Sequence, residues 1–228
     1  MKRSVTAELL DTDSGTPAEI AASLADLRSI NRRFGGIATT QALVEEVAHK
    51  LNAKKLSLLE VAAGSGDVAI SVSERLKQRG IGVEVTLLDR AASHLPALSS
   101  NGHSVRRTVV GDALALPFPD GSFDVVDCGL FTHHLMPEQV VQFVNEGLRV
   151  CRSAVLINDL VRHAAHLALV YAAIPLYGSR LTRHDAPASV RQAYTPQEIR
   201  ELLRQSKAAR VEIRRHYLFR MGVIVWKS

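Results

Sequence analysis

From Leu56 onward, short apolar runs alternate with amphipathic stretches. "LSLLEVA", "VEVTLLD", the core of "SVRRTVVGDA", "FDVVDCGLF" and "SAVLINDL" have the length and branched content of buried strands. "DVAISVSERLKQRG", closed by Gly80, and "PEQVVQFVNEGLRVC", opened by Pro137, carry apolar residues at helical spacing. "AASHLPALSSNG", between the second and third strands, reads as a short helix or turn. This alternation predicts a parallel sheet with helices on both faces and right-handed crossovers. The end departs from it. "TPQEIRELLRQS" is a helix with Thr, Pro and Glu in capping positions, followed by "RVEIRRHYLFR" and "MGVIVWKS" with almost no spacer. Two late strands so joined predict an antiparallel pair at the sheet edge. The expected fold is α/β: seven strands, mostly parallel, with an antiparallel last strand.

Two helices precede the sheet. "TPAEIAASLADLRSINRRF" has Thr16 as cap, Pro17 at its first position and Glu19 three residues after the cap, and Gly35 and Gly36 end it. "TTQALVEEVAHKL" places Leu43, Val44, Val47 and Leu51 on one side. Before them the chain is polar with weak periodicity, and its first residues are expected to be loose. The segment from Leu160 to Tyr194 breaks the alternation. It is apolar at first, then rich in Arg and His, and it would overhang the carboxyl ends of the strands, where open α/β sheets bind ligands. The expected division is an N-terminal helical cap over 1–55 and a main domain over 56–228, with a lid insertion at about 160–195.

Composition narrows the function without naming it. A chain of 228 residues suggests one domain with additions, or at most two. Aromatic residues are only 5%, which argues against a platform for stacking bases. Cys128 and Cys151 have no metal-ligand spacing and read as buried free thiols. The start "MKRSVTAELLDTDSG" has no long apolar core, and the run "LALVYAAIPLYG" is shorter than the roughly 20 residues of a membrane span. The expectation is a soluble, cytoplasmic protein with no transmembrane segment. Net charge is +5, and Arg149 to Arg220 holds thirteen basic residues against five acids. These bases are scattered, as solvated helix faces and local ion pairs would be, so they do not by themselves call for nucleic acid.

The chemistry starts at "EVAAGSGD", Glu60 to Asp67, a glycine turn between the first strand and its helix. Such a turn lets backbone approach a ligand and aims free N–H groups at it. A P-loop would need Gly-Lys-Ser/Thr, whereas Gly66 precedes Asp67. A dinucleotide fold would put a third glycine where Ala69 stands. Glu60 and Asp67 would both repel a pyrophosphate and suit a cofactor carrying positive charge. Asp67 has a second reading, as the cap of its helix.

Glu60, Ala62, Gly64 and Gly66 resemble the first motif of class I S-adenosylmethionine-dependent methyltransferases, acid-x-Gly-x-Gly-x-Gly, with Ala62 in place of the first glycine. The resemblance extends to Asp89 at the end of the second strand, followed by Arg90, and to "GDALALPFPDGSFDVV". It implies a Rossmann-like sheet, S-adenosylmethionine as cofactor and S-adenosylhomocysteine as product. It also implies that Asp89 accepts hydrogen bonds from the ribose hydroxyls, and that Asp112, with Ala113 beside it, meets the adenine amino group. Phe131, at the exit of the fourth strand, completes the implied cofactor set.

The acceptor must be sought at the exits of strands four and five. "FTHHLMPEQ" puts His133 and His134 after the fourth strand, and "INDLVRH" puts Asn158, Asp159 and Arg162 after the fifth. A hydroxyl acceptor benefits from a base with a pKa near neutral, for which His fits best, and a His–Asp pair would orient that base. His133, His134 and Asp159 are therefore the catalytic candidates. Asn158, Arg162, Arg183, His184 and Tyr194 are the candidates for holding the acceptor. The run "NDLVRH…SRLTRHD…SVRQAYT" is similar to bacterial methyltransferases of phenolic and polyketide products, which implies O-methylation of a hydrophobic phenol in secondary metabolism. C-methylation of a quinone-type ring, or methylation of a nucleic acid, remains as an alternative acceptor. Nothing in the sequence implies a metal. The partner expected is a small hydrophobic molecule, and the chain is expected to be a monomer or homodimer.

Overall fold

The protein is described by a computed structural model covering residues 1–12, 14–96 and 105–228. Seven strands form one sheet: β1 (Lys55–Val61), β2 (Gly82–Asp89), β3 (Val105–Val110), β4 (Phe123–Gly129), β5 (Cys151–Leu160), β6 (Arg210–His216) and β7 (Arg220–Trp226). Their order is β3-β2-β1-β4-β5-β7-β6. The first five run parallel, and β7 lies antiparallel to both β5 and β6. This is the mostly parallel sheet expected from the alternation and the Rossmann-like architecture that the resemblance implied. The order reverses between β1 and β4, so the crevice for a ligand opens at the carboxyl ends of those two strands.

Helices cover both faces. α1 (Pro17–Arg33), α2 (Gly36–Lys50) and α3 (Asp67–Gln78) come first, followed by α4 (Pro137–Val150), α5 (Ala164–Ala173), α6 (Arg180–Gln192) and α7 (Pro196–Leu203). Because side chains alternate along a strand, the sheet sorts its apolar residues into two cores. Leu56 and Leu58, Val125, Ala154 and Leu156 pack against Val44 and Val47 of α2 and Val72 and Leu76 of α3. Leu59 and Val61, Val126, Val155 and Ile157 pack against Phe143 and Val144 of α4 and Ile199 of α7. α2 is thus a layer of the sheet, touching β5 and β7, while α1 packs on α6.

The local signals act as the sequence predicts. Thr16 and Glu19 form a reciprocal capping box on α1, and Thr195 and Glu198 do the same on α7. Gly35, at φ +78, ends α1 and caps α2 in one left-handed residue. Part of "AASHLPALSSNG" lies outside the described residues, and the part before it is a turn over Ala92–His94. The basic residues of the carboxyl half are locally paired: Arg149 with Glu146 and Asp120, Arg152 with Asp124, and Arg214 with Glu46 and Glu212. Cys128 and Cys151 are buried free thiols. Among the described residues, no helix is long and apolar enough to cross a membrane.

The expectation of a loose start is overturned. Residues 1–12 form an arm strapped across the carboxyl-end crevice. The Arg3 guanidinium donates to the carbonyls of Gln192, His133 and Leu135 and stacks 4.2 Å over the Tyr194 ring. The Asp185 carboxylate accepts from the Leu9 and Leu10 amides and so caps a short 3-10 turn at Leu10–Thr12. Every one of these partners is more than a hundred residues away, so no local periodicity could announce the arm.

Candidate active site

The crevice is a cavity of about 640 Å³, within the roughly 300–1,000 Å³ range of small-molecule sites. One end is built by the glycine turn. Ala62, Gly64 and Gly66 all adopt left-handed backbone, at φ +54, +52 and +70. A side chain on Gly66 would put its Cβ 2.4 Å from Leu87 Cδ1, so this glycine is required by packing as well as by φ. Gly64 faces open space, with Leu24 Cδ2 4.0 Å from the position a Cβ would take. Ala62 tolerates a conformation that costs an L-residue about 1–2 kcal/mol. Ala62→Gly should therefore raise stability by about 0.5–1 kcal/mol after the entropy that glycine adds to the unfolded chain, as a denaturant midpoint would show.

Asp89 stands at the end of β2 and is bonded to the turn. Its Oδ2 accepts from the Gly64 amide at 2.8 Å and its Oδ1 from the Ala91 amide at 2.9 Å. Each carboxylate oxygen keeps a further lone pair for a ligand. Asp112 and Ala113 line the same end, Asp112 bonded to the Leu114 amide. Arg90 lines the rim, and its guanidinium donates to the Asp11 carbonyl of the arm. Phe131 lines the cavity with its ring edge-on to Phe143. Asp67 is the first residue of α3 rather than its cap, which is Gly66; it accepts from the Ser65 hydroxyl and lies 3.6 Å from Arg28.

Below the turn lies an acid pair. Glu60 and Asp127 are register partners on β1 and β4, on the same face as Leu58 and Val125. Among the described residues, Glu60 Oε2 and both Asp127 oxygens are buried without a hydrogen-bond partner. Burial, with Asp127 close by, pushes the Glu60 carboxyl well above its usual range, and burial raises that of Asp127 to about 7. A buried acid that reaches a cavity fits a ligand carrying positive charge, and of the two Glu60 is the one that lines the cavity.

At the other end, the exits of β4 and β5 bring the predicted His and Asp together. His133 and His134 sit in a 3-10 turn, Thr132–His134. The Asp159 Oδ1 lies 2.7 Å from His133 Nδ1, and its Oδ2 accepts from the Thr132 hydroxyl at 2.5 Å and the His133 amide at 3.0 Å. Burial opposes charge on His133, but Asp159 outweighs it and Glu8 adds to it, raising the imidazole to about 10. Burial likewise opposes charge on Asp159, and His133 holds it down to about 2.

Of the five residues expected to hold an acceptor, only Asn158 borders the cavity. Its amide is committed: Nδ2 donates to the Gly36 carbonyl and Thr40 hydroxyl, and Oδ1 accepts from Arg220. Arg162 ties Met1, Ala193 and Glu198 together, and Tyr194 donates to the Leu135 carbonyl. Arg183 donates to the Tyr177 carbonyl, and His184 pairs with Asp185. These four brace the segment over residues 162–194, while the cavity lining there comes from Val170, Tyr177, Ala186 and Val190 with Leu24, Leu27 and Ile30 of α1. Glu8 and Asp11 of the arm also face the cavity, and no sequence signal pointed to them.

Residues 59–157 match the family described as "Methyltransferase domain", somewhat under half of the chain. That region of the chain is similar to methyltransferase domains. The chain is 36% identical over 73 residues to the ubiquinone/menaquinone biosynthesis C-methyltransferase UbiE of Rickettsia bellii, covering 30% of this chain and 29% of the relative. It is 42% identical over 73 residues to the demethylmenaquinone methyltransferase of Thermus thermophilus, covering 30% and 31%. The match thus spans about 30% of the length of these relatives. Among solved structures, the plantazolicin methyltransferase BamL superposes with a TM-score of 0.65 at 15% identity, over 90% of this chain and 91% of that one. The Synechocystis magnesium protoporphyrin IX methyltransferase ChlM with bound S-adenosylhomocysteine gives 0.58 at 15% identity, over 87% and 86%. At such identity the likeness to this chain is one of fold.

Proposed function

We propose that this protein transfers the methyl group of S-adenosylmethionine to a hydroxyl of a small hydrophobic acceptor, a phenol or polyketide-derived molecule. One observation carries the reading: a single cavity joins the glycine turn with its acids to the His133–Asp159 pair. The cofactor, when bound, supplies an electrophilic methyl group.

The chain's own residues do the rest. The turn amides, Asp89 and Asp112 hold the cofactor end, and Glu60 meets positive charge there. The apolar lining from α1, α5 and α6 takes the acceptor's body and excludes water. Asp159 fixes the His133 ring through Nδ1, leaving Nε2 toward the cavity. Flanked by carboxylates, His133 holds its proton through neutral pH, so it serves as a charged donor that anchors an acceptor oxygen. The His134 Nδ1 lies 2.7 Å from Asp11 Oδ2, and its Nε2 is the atom left to accept the hydroxyl proton.

A relative named as a ubiquinone/menaquinone biosynthesis C-methyltransferase favours a carbon acceptor as the second reading. A methyl-transfer assay with labelled S-adenosylmethionine against alkylresorcinols, quinols, small amines and total RNA, with mass spectrometry of the product, separates the two. A methyl ether supports the proposal. Label on a ring carbon, an amine or RNA overturns the acceptor, and no transfer to any member of the panel counts against a phenolic substrate.

Asp89→Ala should weaken cofactor binding by about 100-fold, the loss of charged acceptors worth roughly 1.5–3 kcal/mol. Calorimetry with S-adenosylhomocysteine checks this, and unchanged affinity would remove Asp89 from the cofactor site.

A further inference from the structure

Glu8, His133 and His134 converge on the cavity wall, and their ligand-competent atoms all lie within 4.8 Å of one another. The arrangement around them is specific. His133 Nε2 is 3.6 Å from Glu8 Oε1, and His134 Nε2 is 4.0 Å from Glu8 Oε2. Both separations are too long for a hydrogen bond. They are close to the spacing of about 3.4 Å between two ligands that each sit roughly 2.1 Å from one tetrahedral ion.

The outer contacts point the same way. Asp159 holds the His133 ring through Nδ1 at 2.7 Å, while Asp11 Oδ2 lies 2.7 Å from His134 Nδ1 as a charge contact without hydrogen-bond geometry. A carboxylate behind a ligating imidazole fixes its tautomer and raises its basicity, which is how protein metal sites are commonly backed. Glu8 is oriented as well, its Oε1 accepting from the Ser189 hydroxyl at 2.7 Å and the Gln192 amide at 2.6 Å. Three carboxylates therefore surround two imidazoles, and the excess negative charge faces a cavity open to small ligands.

We infer that Glu8, His133 and His134 form a binding site for a divalent transition metal, zinc first, with the fourth position open to the cavity. Two imidazole nitrogens and one carboxylate oxygen suit zinc, cobalt, nickel or iron better than magnesium or calcium, which prefer oxygen alone. Three protein ligands with an open position are the pattern of a working site rather than a structural one. The site also assigns the arm a purpose, because Glu8 enters only when residues 1–12 are strapped down. Zinc would displace the proton that His133 holds in the metal-free chain and take the same Nε2 atoms, so metal binding excludes the donor and base roles proposed above, and the site does not rest on that function.

The test is calorimetric titration of the EDTA-treated full-length protein with zinc chloride alone, with neither cofactor nor acceptor present. Co2+ titration followed by its visible absorption gives a second readout of nitrogen ligation. One zinc per chain is expected at sub-micromolar affinity, with magnesium not competing. Glu8→Gln and His134→Ala should each weaken zinc by at least about 100-fold, and Asp11→Asn by roughly 10-fold through the negative charge it removes beside His134. Asp11→Asn touches no ligand atom and keeps the test informative if a ligand variant fails to fold. No stoichiometric zinc binding by the wild-type protein overturns the site, as does equal affinity in folded Glu8→Gln and His134→Ala proteins. Because no methyl transfer is measured, a negative result leaves the methyltransferase reading intact. Zinc binding without methyl transfer to any acceptor would keep the site and reject that reading.

Discussion

Asp159→Ala should cost about 3–5 kcal/mol of stability and abolish methyl transfer. The carboxylate serves four donors: the His133 ring, the His133 amide, the Thr132 hydroxyl and the Leu160 amide. His133 is 2% exposed and Asp159 1% exposed, so water does not replace what the variant removes. The truncation leaves a buried imidazolium and the Thr132 hydroxyl without their acceptor, and each orphaned group bears its own desolvation cost. Asp159→Asn keeps an acceptor oxygen and should lose less stability while still losing activity, because the charge that anchors His133 is gone. Chemical denaturation in EDTA measures the first effect, and transfer of labelled methyl the second. A denaturation midpoint for Asp159→Ala within error of wild type would show that the pair does not hold this end of the site together.

That pair was legible in the sequence because it depends on strand ends. The apolar runs of β4 and β5 mark where each strand stops, and parallel neighbours deliver their exits to one place. Strand parity explains the residues that the sequence misplaced. Ala154, Leu156 and Asn158 share the face under α2, so Asn158 spends its amide on Gly36 and Thr40. Val155, Ile157 and Asp159 share the opposite face, which leads to His133. Counting by two from the buried apolar residues of β5 would have separated Asn158 from Asp159 without coordinates.

Other parts of the site carried no such signal. "TRHD" and "AYT" stand out by composition, yet Arg183 and His184 act as props because α6 turns them away from the cavity, and Tyr194, just past α6, spends its hydroxyl on the Leu135 carbonyl. Leu24 and Leu27 of α1 look like ordinary packing residues, and they become lining only when α1 lies on α6. The arm is the extreme case. Glu8 and Asp11 sit in a polar, weakly patterned stretch, and their roles come from contacts with Ser189, Gln192 and His134, far along the chain. Local propensity cannot encode a segment whose conformation is imposed by distant acceptors. The glycine turn lies at the other pole: Gly66 is fixed by a positive φ and a 2.4 Å approach to Leu87, constraints that leave a mark in the residue type itself.

The acid pair beneath that turn makes stability depend on pH in an unusual direction. Unfolded, Asp127 titrates near its ordinary value of 3.8, whereas burial raises it to about 7 in the folded chain. Between those values the folded state holds a proton that the unfolded state has released. Stability should therefore fall as pH rises from about 4 to about 7, by up to roughly 1.4 kcal/mol per pH unit for each such group, with the Asp127 contribution levelling off above. Glu60, raised by burial and by Asp127, adds to the same slope. Most paired carboxylates do the opposite and stabilise as pH rises. Asp127→Asn should flatten the curve twice over, by removing one titrating group and by relieving Glu60 of its neighbour. A cation bound at the glycine turn should drive the same protons off, so cofactor affinity should climb with pH through about 7 in wild type and much less in the variant. Denaturation from pH 4 to 8 tests the first effect, and calorimetry in buffers of different ionisation enthalpy counts the protons released on binding. If wild-type stability does not decline across that interval relative to Asp127→Asn, the acids are ionised in the free protein and the site is charged before its ligand arrives.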